Sequence, residues 1–339
     1  MIKANYLVMK NLVCLFVIIF LSALMRLGVA ETGAAPAESR DVALVTAKPA
    51  ELTQAASQAM MLGAAKAGKR IVAVGDHGIV LLSDDQGANF RQAKVVPVRS
   101  TLTAVTFAND RTGWAVGHWG AVIRTTDGGE TWKLQRLDVS VDQPLFSVHF
   151  KNEKEGFAVG LWSIALTTKD GGETWQQASI PAPTIGGKAD RNLFKIFASL
   201  KGALFISGEQ GGILRSDDGG LSWTYIHTGY KGTFWSGCAL KNGTLLVTGL
   251  RGTIYRSTDD GHSWLRSESG TSKSITDCVE ARVVVRAVGL DGALVESRDS
   301  GVSFRPVRNK SGTDYTATLF TDDGQELIFS KQGIVERLR

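Results

Sequence analysis

The sequence is poor in proline and cysteine. Seven prolines among 339 residues exclude a collagen-like chain or a long proline-rich linker. Three cysteines are too few for a disulfide framework, so a hydrophobic core has to stabilise the fold. With 43% hydrophobic and 21% charged residues, the chain is neither disordered nor a protein of many membrane spans. Glycine is in excess, at 38 residues, and this predicts many tight turns between short strands.

The first thirty residues have the features of a secretion signal. Lys3 and Lys10 precede an uncharged stretch, residues 11–25, that is too short to span a bilayer comfortably. Small residues at Gly28 and Ala30 predict cleavage before residue 31, and an uncleaved anchor is the alternative. We therefore predict a signal peptide over 1–30, a flexible linker over 31–40 and one folded domain over 41–339.

The charge of the chain without this signal is nearly balanced. The full sequence has 38 Lys and Arg against 33 Asp and Glu, and the first thirty residues contain three of the cations and no acid. The remaining residues therefore have a net charge of +2, which predicts no nucleic-acid partner.

A motif of eight residues recurs six times. It has Ser or Thr first, Asp third, Gly fifth, Thr, Ser or Asn seventh, and Trp or Phe eighth. Its aspartates are 42, 43, 48, 41 and 40 residues apart, namely Asp85, Asp127, Asp170, Asp218, Asp259 and Asp299. A glycine always lies eight residues before the motif: Gly75, Gly117, Gly160, Gly208, Gly249 and Gly289. The constant offset indicates a structural repeat of about 42 residues.

Each repeat contains four short apolar or alternating segments separated by turns, which is the pattern of a propeller blade. A seventh copy begins near Tyr315 and ends before a fourth strand, and Asp41–Thr46 is the candidate for that strand. The alanine-rich stretch Glu51–Lys66 favours a helix by propensity, but the repeat register makes its second half the inner strand of the first blade. We predict an all-β, seven-bladed β-propeller of four-stranded antiparallel blades, closed by pairing of the N- and C-terminal segments.

The six motifs resemble Asp-boxes, also called bacterial neuraminidase repeats. At full length the chain most resembles the photosystem II stability/assembly factor family of seven-bladed propellers. The resemblance rests on Gly117–Trp132 (GHWGAVIRTTDGGETW), Gly160–Trp175 (GLWSIALTTKDGGETW), the blade count and the export signal, and it covers residues 41–339. It implies a non-enzymatic protein without a cofactor that holds a membrane-protein client during complex assembly. We expect a monomer in the periplasm or a compartment like the thylakoid lumen, with membrane association as a further expectation.

The alternative interpretation is a sialidase-like glycoside hydrolase or a carbohydrate-binding propeller. The sialidase signature F-R-I-P is missing, since Phe304-Arg305-Pro306 lacks the isoleucine. The six motifs do not follow the calcium-loop pattern, and the five histidines show no metal-binding pairing. We therefore predict no metal site and no catalytic residue, and we assign the six motif aspartates to turn structure.

Cys238 and Cys278 both lie eleven residues before the glycine of their blade. The count places them at equivalent positions on neighbouring inner strands, where Cα atoms are usually farther apart than the roughly 7 Å that a disulfide allows. We therefore favour buried thiols, with a disulfide as the alternative.

The face opposite the motifs holds the turns between the second and third strands. The seven turns read Asp76-His77, His118-Trp119, Leu161-Trp162, Glu209-Gln210, Leu250-Arg251, Leu290-Asp291 and Lys331-Gln332. Tryptophan is unusual in such turns and is enriched at binding interfaces, so Trp119 and Trp162 either fold back on a neighbouring blade or contact a partner.

The loops between blades carry many cations on what we predict to be the same face. They are Lys94, Arg99, Arg136, Lys188, Arg191, Lys231, Lys273, Arg308 and Lys310. A basic face would attract an acidic segment or anionic lipid head groups, and scattered solvating charge is the alternative. As partner-binding residues we select His118, Trp119, Trp162, Lys188, Arg191, Arg251 and Arg99.

Overall fold

A computed structural model describes residues 47–183, 190–308 and 312–335. In this part of the chain, seven antiparallel sheets follow one another, and the inner strand of each contacts the inner strand of the next. The fold is the seven-bladed, all-β propeller that the repeats predict. The predicted signal peptide, linker and closing strand Asp41–Thr46 lie outside the described residues and stay predictions.

Strands follow chain order within every blade, from the inner strand outward. Blade 1 comprises β1 (Met61–Ala67), β2 (Arg70–Gly75), β3 (Val80–Ser83) and β4 (Arg91–Gln92). Blade 2 comprises β5 (Leu102–Phe107), β6 (Gly113–Gly117), β7 (Val122–Thr125) and β8 (Lys133–Arg136). Blade 3 comprises β9 (Leu145–Phe150), β10 (Gly156–Gly160), β11 (Ala165–Thr168) and β12 (Gln176–Gln177). Blades 4 and 5 comprise β13 (Leu193–Ala198), β14 (Leu204–Gly208), β15 (Gly212–Ser216), β16 (Thr224–His227); β17 (Phe234–Ala239), β18 (Leu245–Gly249), β19 (Ile254–Ser257) and β20 (Leu265–Arg266). Blades 6 and 7 comprise β21 (Ile275–Ala281), β22 (Val284–Gly289), β23 (Ala293–Ser297), β24 (Arg305–Pro306); β25 (Tyr315–Phe320), β26 (Glu326–Ser330) and β27 (Gly333–Val335).

The described helices are short 3-10 turns. One, Ala56–Gln58, precedes β1, and five lie between second and third strands: Asp76–Gly78, His118–Gly120, Leu161–Ser163, Leu250–Gly252 and Leu290–Gly292. In the described parts of the chain no helix has the length and apolar character needed to cross a membrane. The alanine-rich stretch before residue 67 forms β1 in its second half, as the register predicted and against helix propensity.

The recurring glycine closes the second strand because the chain passes too near for a side chain. A Cβ at Gly117 would overlap the backbone carbonyl of Thr101, just before the inner strand of the same blade. Gly249 meets the carbonyl of Thr233 in the same way. The backbone of Gly117 is extended, so the glycine is required by this close approach and not by its φ angle.

Inter-blade hydrogen bonds join the inner strands. Each inner strand has a register irregularity near its first residue, where a bulge sets one residue apart from the ladder. In the second blade that residue is Thr103, whose hydroxyl donates to the carbonyl of Leu145 in the next blade at 2.6 Å. Thr276 donates likewise to Tyr315 at 2.9 Å. These bonds tie the inner strands of neighbouring blades together.

Blade 7 packs directly on blade 1. Leu319, Leu327 and Phe329 share one buried cluster with Met61 and Leu81. The Thr316 hydroxyl donates to the carbonyl of Met61, and Lys66 forms an ion pair with Asp322. The ring therefore closes through packing and polar contacts among the described residues.

The preference for free thiols is wrong: Cys238 and Cys278 form a disulfide, with their Cα atoms 6.1 Å apart. Strand pairing explains the error. Phe234 begins its strand opposite Gly249, fifteen residues later, whereas Ile275 lies opposite Gly289, fourteen residues later. Equal counts back from the glycines therefore reach different strand positions. Because successive side chains alternate between the two faces of a sheet, the two sulfurs point toward one another in the core between blades 5 and 6.

The aspartate motifs form turns that are held by their own side chains. In blade 2, Asp127 Oδ1 accepts hydrogen bonds from the Thr125 hydroxyl at 2.8 Å and the Thr131 N–H at 2.9 Å, and Oδ2 accepts the Thr131 hydroxyl at 2.6 Å. The Gly129 N–H donates to Thr125 Oγ1 at 2.9 Å. Equivalent bonds surround Asp85, Asp170, Asp218, Asp259 and Asp299.

These hydrogen bonds favour the ionised carboxylates. The N–H and side chain of Asn89 lower the pKa of Asp85 to about 2. The hydroxyl and N–H of Thr174 lower the pKa of Asp170 to about 2. Burial opposes ionisation of Asp259, but its hydrogen bonds outweigh burial and its pKa also falls to about 2. The donors around each aspartate thus come from the motif itself.

Candidate functional site

The turns between the second and third strands, with the loops that join blades, form what we call the tip face. In six of the turns the second residue is not glycine and lies in the left-handed region, with φ between 51° and 60°: His77, Trp119, Trp162, Gln210, Arg251 and Asp291. A bulky residue in this region is an outlier. The turn of the third blade is the most unusual, because it has two consecutive non-glycine residues in this region, Trp162 and Ser163 at φ 57°. In the second blade, by contrast, a glycine, Gly120, follows Trp119.

Acceptors on the following inter-blade loop hold several of these residues. The Trp119 N–H donates to Asp142 Oδ1 at 2.8 Å, and the Trp162 N–H donates to Asn192 Oδ1 at 3.0 Å. The Arg251 N–H donates to Ser274 Oγ at 3.1 Å. The turn conformation is therefore fixed by the neighbouring segment and leaves the side chain to be chosen for another purpose.

The two tryptophans have different surroundings. Trp119 is 9% exposed, whereas Trp162 is 52% exposed. Trp119 is therefore buried, as a folded-back ring would be, and Trp162 leaves about half of its surface available to a partner. Their roles in binding stay predictions.

Two valines are exposed on the loop that runs between the tips of blades 2 and 3. Val139 and Val141 are 48% and 42% exposed and lie on the loop between β8 and β9. We call Val139, Val141 and Trp162 the apolar ridge. Sequence reasoning missed the valines, although their alternation with polar residues in a loop was a usable signal.

The loop of the apolar ridge is anchored on both sides. The Asp138 N–H donates to the carbonyl of Trp119 at 2.8 Å, and Asp142 Oδ2 lies 2.9 Å from Nδ1 of the predicted site residue His118. On the other side, Gln143 Nε2 donates to the carbonyl of Leu161 at 3.0 Å. These contacts place the loop between the tips of blades 2 and 3, so the ridge is built on a fixed backbone.

Three of the predicted cations of the tip face already have partners. Arg99 pairs with Glu51 at 2.5 Å, and Arg136 donates to the carbonyl of Gly120 at 2.6 Å. Arg191 is 6% exposed and its guanidinium stacks 5.6 Å from the centroid of the Tyr225 ring. Lys188 and Lys310 lie outside the described residues.

The position assigned to Lys94 is wrong. Its ammonium lies 3.1 Å from Glu130, inside the aspartate motif of blade 2. After the outer strand of blade 1, the chain first runs along this motif, where Val95 pairs with Thr131. Only then does it reach the tip face. Loop sequence alone does not reveal this detour.

Three exposed cations surround the tip of blade 5, and we call Lys231, Arg251 and Lys273 the fifth-blade cluster. Beside Lys231, the carbonyl of Gly232 accepts the N–H of Gly211 at the blade 4 tip, and the Tyr230 hydroxyl donates to the carbonyl of Leu250 at the blade 5 tip. Lys273 adjoins Ser274, the acceptor of the Arg251 N–H. The structure thus brings the predicted site residue Arg251 together with two loop lysines.

A cleft on the tip face lies away from both groups. Its volume is about 590 Å³, and its lining includes Glu51, Leu52, His77 and Arg99 at the first blade. The sequence indicated its lining residues His77 and Arg99 but not the cleft itself, because the segment that forms one wall precedes the first strand.

The inner strands bear on the glycosidase alternative. None of the seven contains arginine, and their carboxylates are Asp277 and Glu280, both on β21. Asp277 accepts hydrogen bonds from the Ser236 hydroxyl and the Thr318 N–H, and Glu280 accepts the Lys241 N–H at 2.6 Å. Within the described residues no three His, Cys, Asp or Glu side chains gather as a metal site requires.

The repeated turns, the closed ring and the variable tip face define a seven-bladed propeller of the neuraminidase-repeat type. The chain belongs to the photosynthesis system II assembly factor YCF48 family, whose profile matches residues 92–181 and 134–283. Among curated proteins none matches the sequence.

Solved propellers are similar in fold. YCF48 bound to D1 peptide has a TM-score of 0.67 and 20% identity, over 85% of this chain and 94% of that one. YCF48 from Cyanidioschyzon merolae has a TM-score of 0.66 and 17% identity, over 85% and 97%. Virginiamycin B lyase from Staphylococcus aureus has a TM-score of 0.65 and 14% identity, over 85% and 96%. At such identities the likeness establishes the fold alone.

Proposed function

We propose that the protein is a non-enzymatic, exported scaffold that holds a segment of a membrane protein on its tip face. The observation that carries the proposal is Trp162, which is fixed in the left-handed region by Asn192 while about half of its surface stays exposed. Strained residues persist where the surroundings over-determine them, and they cluster at ligand sites.

The chemistry of the apolar ridge supports an apolar protein segment as the ligand. Tryptophan is the side chain most enriched at energetic centres of interfaces. Val139 and Val141 extend the contact, and the anchored loop reduces the entropy that binding would otherwise lose. The nearby charges are already occupied: Asp142 contacts His118, and Asp138 lies 3.6 Å from Arg136.

Family membership supports the same class of ligand. The chain belongs to an assembly-factor family, and one solved YCF48 carries a bound D1 peptide. A peptide segment of a membrane-protein client is therefore the ligand we propose for the tip face.

Three further parts of the proposal have separate support. The N-terminal sequence features and the Cys238–Cys278 disulfide support export to an oxidising compartment. The lack of arginine and of available carboxylates on the inner strands supports a non-catalytic role. We also propose a monomer, which size-exclusion chromatography with light scattering would test.

The test is in-cell crosslinking of the tagged protein, followed by recovery from native membranes. Trp162→Ala removes the ring, and Leu221→Ala is the matched control because Leu221 is a 74% exposed apolar residue in the blade 4 aspartate motif. We expect one membrane protein to be captured by the wild type and the control. Trp162→Ala should reduce its capture at least tenfold, on the order expected for a tryptophan at an interface centre.

Two other outcomes would overturn parts of the proposal. Undiminished capture by a folded Trp162→Ala variant would remove the tip of blade 3 from the binding site. Recovery of glycans without a membrane protein would replace the scaffold with a carbohydrate-binding propeller.

A further inference from the structure

We infer that the fifth-blade cluster docks on the surface of an anionic lipid bilayer. Lys231, Arg251 and Lys273 are exposed on three chain segments around one tip. The inference concerns a different part of the tip face from the apolar ridge, and it does not depend on the identity of the client.

The three cations of the cluster lack acidic partners. Within the described residues, none of its members forms an ion pair. Lys273 Nζ donates to the backbone carbonyl of Asp291 at 2.7 Å, which leaves its charge uncompensated. By contrast, Arg99 pairs with Glu51, and Lys331 pairs with Asp314 at 2.8 Å.

The neighbouring tips carry fewer acids than the cluster has cations. The Glu209 carboxylate, at the tip of blade 4, accepts hydrogen bonds from the N–H and side chain of Asn192 at 3.1 and 3.0 Å. Asp291, at the tip of blade 6, is exposed. Three cations therefore stand against two carboxylates, Glu209 and Asp291, so the local field is positive, although residues 31–339 have a net charge of only +2.

The arrangement favours a flat anionic partner over an acidic peptide. Acidic peptides are usually recognised by clusters of arginine, which bind carboxylates in a bidentate way, whereas two of the three cations here are lysines. The cleft of about 590 Å³ on this face is lined by first-blade residues, and no member of the cluster contributes to it. Exposed cations on separate segments instead suit a surface of lipid head groups, which attracts each exposed Lys or Arg within a Debye length.

Vesicle binding of the full protein tests the inference. One set of vesicles is phosphatidylcholine alone, and in the other about a third of the lipid is phosphatidylglycerol. The readout is the preference for anionic over neutral vesicles in co-sedimentation, because the apolar stretch 11–25 would bind both kinds alike. The variant is Lys231→Gln with Arg251→Gln and Lys273→Gln.

The control is Lys169→Gln with Lys201→Gln and Lys241→Gln. These lysines are exposed, and they lie in the blade 3 motif and in the first hairpins of blades 4 and 5, on the opposite face. Both variants lose the same charge. Since each cation near an anionic surface contributes about fivefold to binding, the cluster variant should lose on the order of 100-fold of the preference, and the control less than about threefold.

Three results would overturn the inference. The wild type could show no preference for anionic vesicles, or both variants could lose the preference equally, which would reflect net charge and not this face. A cluster variant that keeps the preference but loses its crosslinked client would assign the cluster to the client. Vesicle binding lost while client capture persists would separate the lipid site from the proposed scaffold function.

Discussion

The two faces of the propeller differ in what recurs from blade to blade, side chains on one face and backbone conformation on the other. On the aspartate-motif face the side chains repeat: in six blades a Ser or Thr, an Asp and a Thr, Ser or Asn make the same hydrogen bonds. On the tip face the backbone repeats, with six residues near φ 55°, but their side chains are His, Trp, Trp, Gln, Arg and Asp. Repeated side chains mark positions that hold the fold, and a repeated backbone with changing side chains marks positions that are open to binding.

The largest expected effect comes from the recurring glycine. Gly117→Ala would push a methyl group against the Thr101 carbonyl, and the backbone just before β5 cannot easily move away. We therefore expect a loss of at least about 3 kcal/mol in the free energy of unfolding. Gly312→Ala is the control, because a Cβ there meets no atom within 4 Å. Urea unfolding measures both, and equal stability of the two variants would contradict the close approach.

Removing an aspartate from a motif should destabilise the protein more than removing an aspartate from the tip face. Asp127→Ala leaves the Thr125 and Thr131 groups without their acceptor, and we expect it to lower the free energy of unfolding by about 3 kcal/mol. Asp142→Ala removes the acceptor of the Trp119 N–H and should have an effect of about 1 kcal/mol. The comparison of the two faces fails if urea unfolding ranks the two variants in the reverse order.

Acid should remove the stabilisation that the motif carboxylates provide. The folded protein lowers the pKa of Asp85, Asp170, Asp259 and Asp299 from 3.8 to about 2, so it binds fewer protons than the unfolded chain between these values. Their stabilisation is complete above about pH 4 and is lost as the pH falls through about 2. We expect the melting temperature to fall over this interval.

The acid effect has an internal control. Asp259→Ala removes one of the depressed carboxylates, so its melting temperature should fall less steeply between pH 4 and 2 than that of the wild type. Parallel curves for the two proteins would show that other groups govern the acid transition.

The smallest effect on stability is expected at Trp162. Trp162→Gly relieves the backbone strain of a tryptophan in the left-handed region, and it removes a ring that is already half exposed. The free energy of unfolding should therefore rise by up to about 1 kcal/mol. Trp119→Gly should instead lower it by about 3 kcal/mol, because that ring is buried. Thermal unfolding distinguishes them, and a destabilised Trp162→Gly would place its ring in the core.

The blades were predictable because their signals are local. Constant spacing from glycine to aspartate gave the blade count and placed β1 against helix propensity. The contacts and burial of individual side chains on the tip face were not predictable, since they depend on segments distant in sequence. Nothing near Arg191 indicates that its guanidinium stacks on Tyr225, and nothing at the two tip tryptophans indicates which one is buried. The disulfide was missed because counting from the glycine ignores the length of the intervening hairpin.

That difference in hairpin length also suggests how repeat proteins acquire new covalent links. The first hairpin of blade 6 has two residues in its turn, between Ala281 and Val284, whereas that of blade 5 has five, between Ala239 and Leu245. A register shift of one residue, produced by a change in the length of this hairpin in one duplicated blade, turns the side chains of its inner strand from one seam to the other. Two cysteines inherited at the same repeat position can then meet, so insertion and deletion, as well as substitution, can diversify the seams of a duplicated ring. The same operation gives protein engineers a way to place a crosslink at a chosen seam.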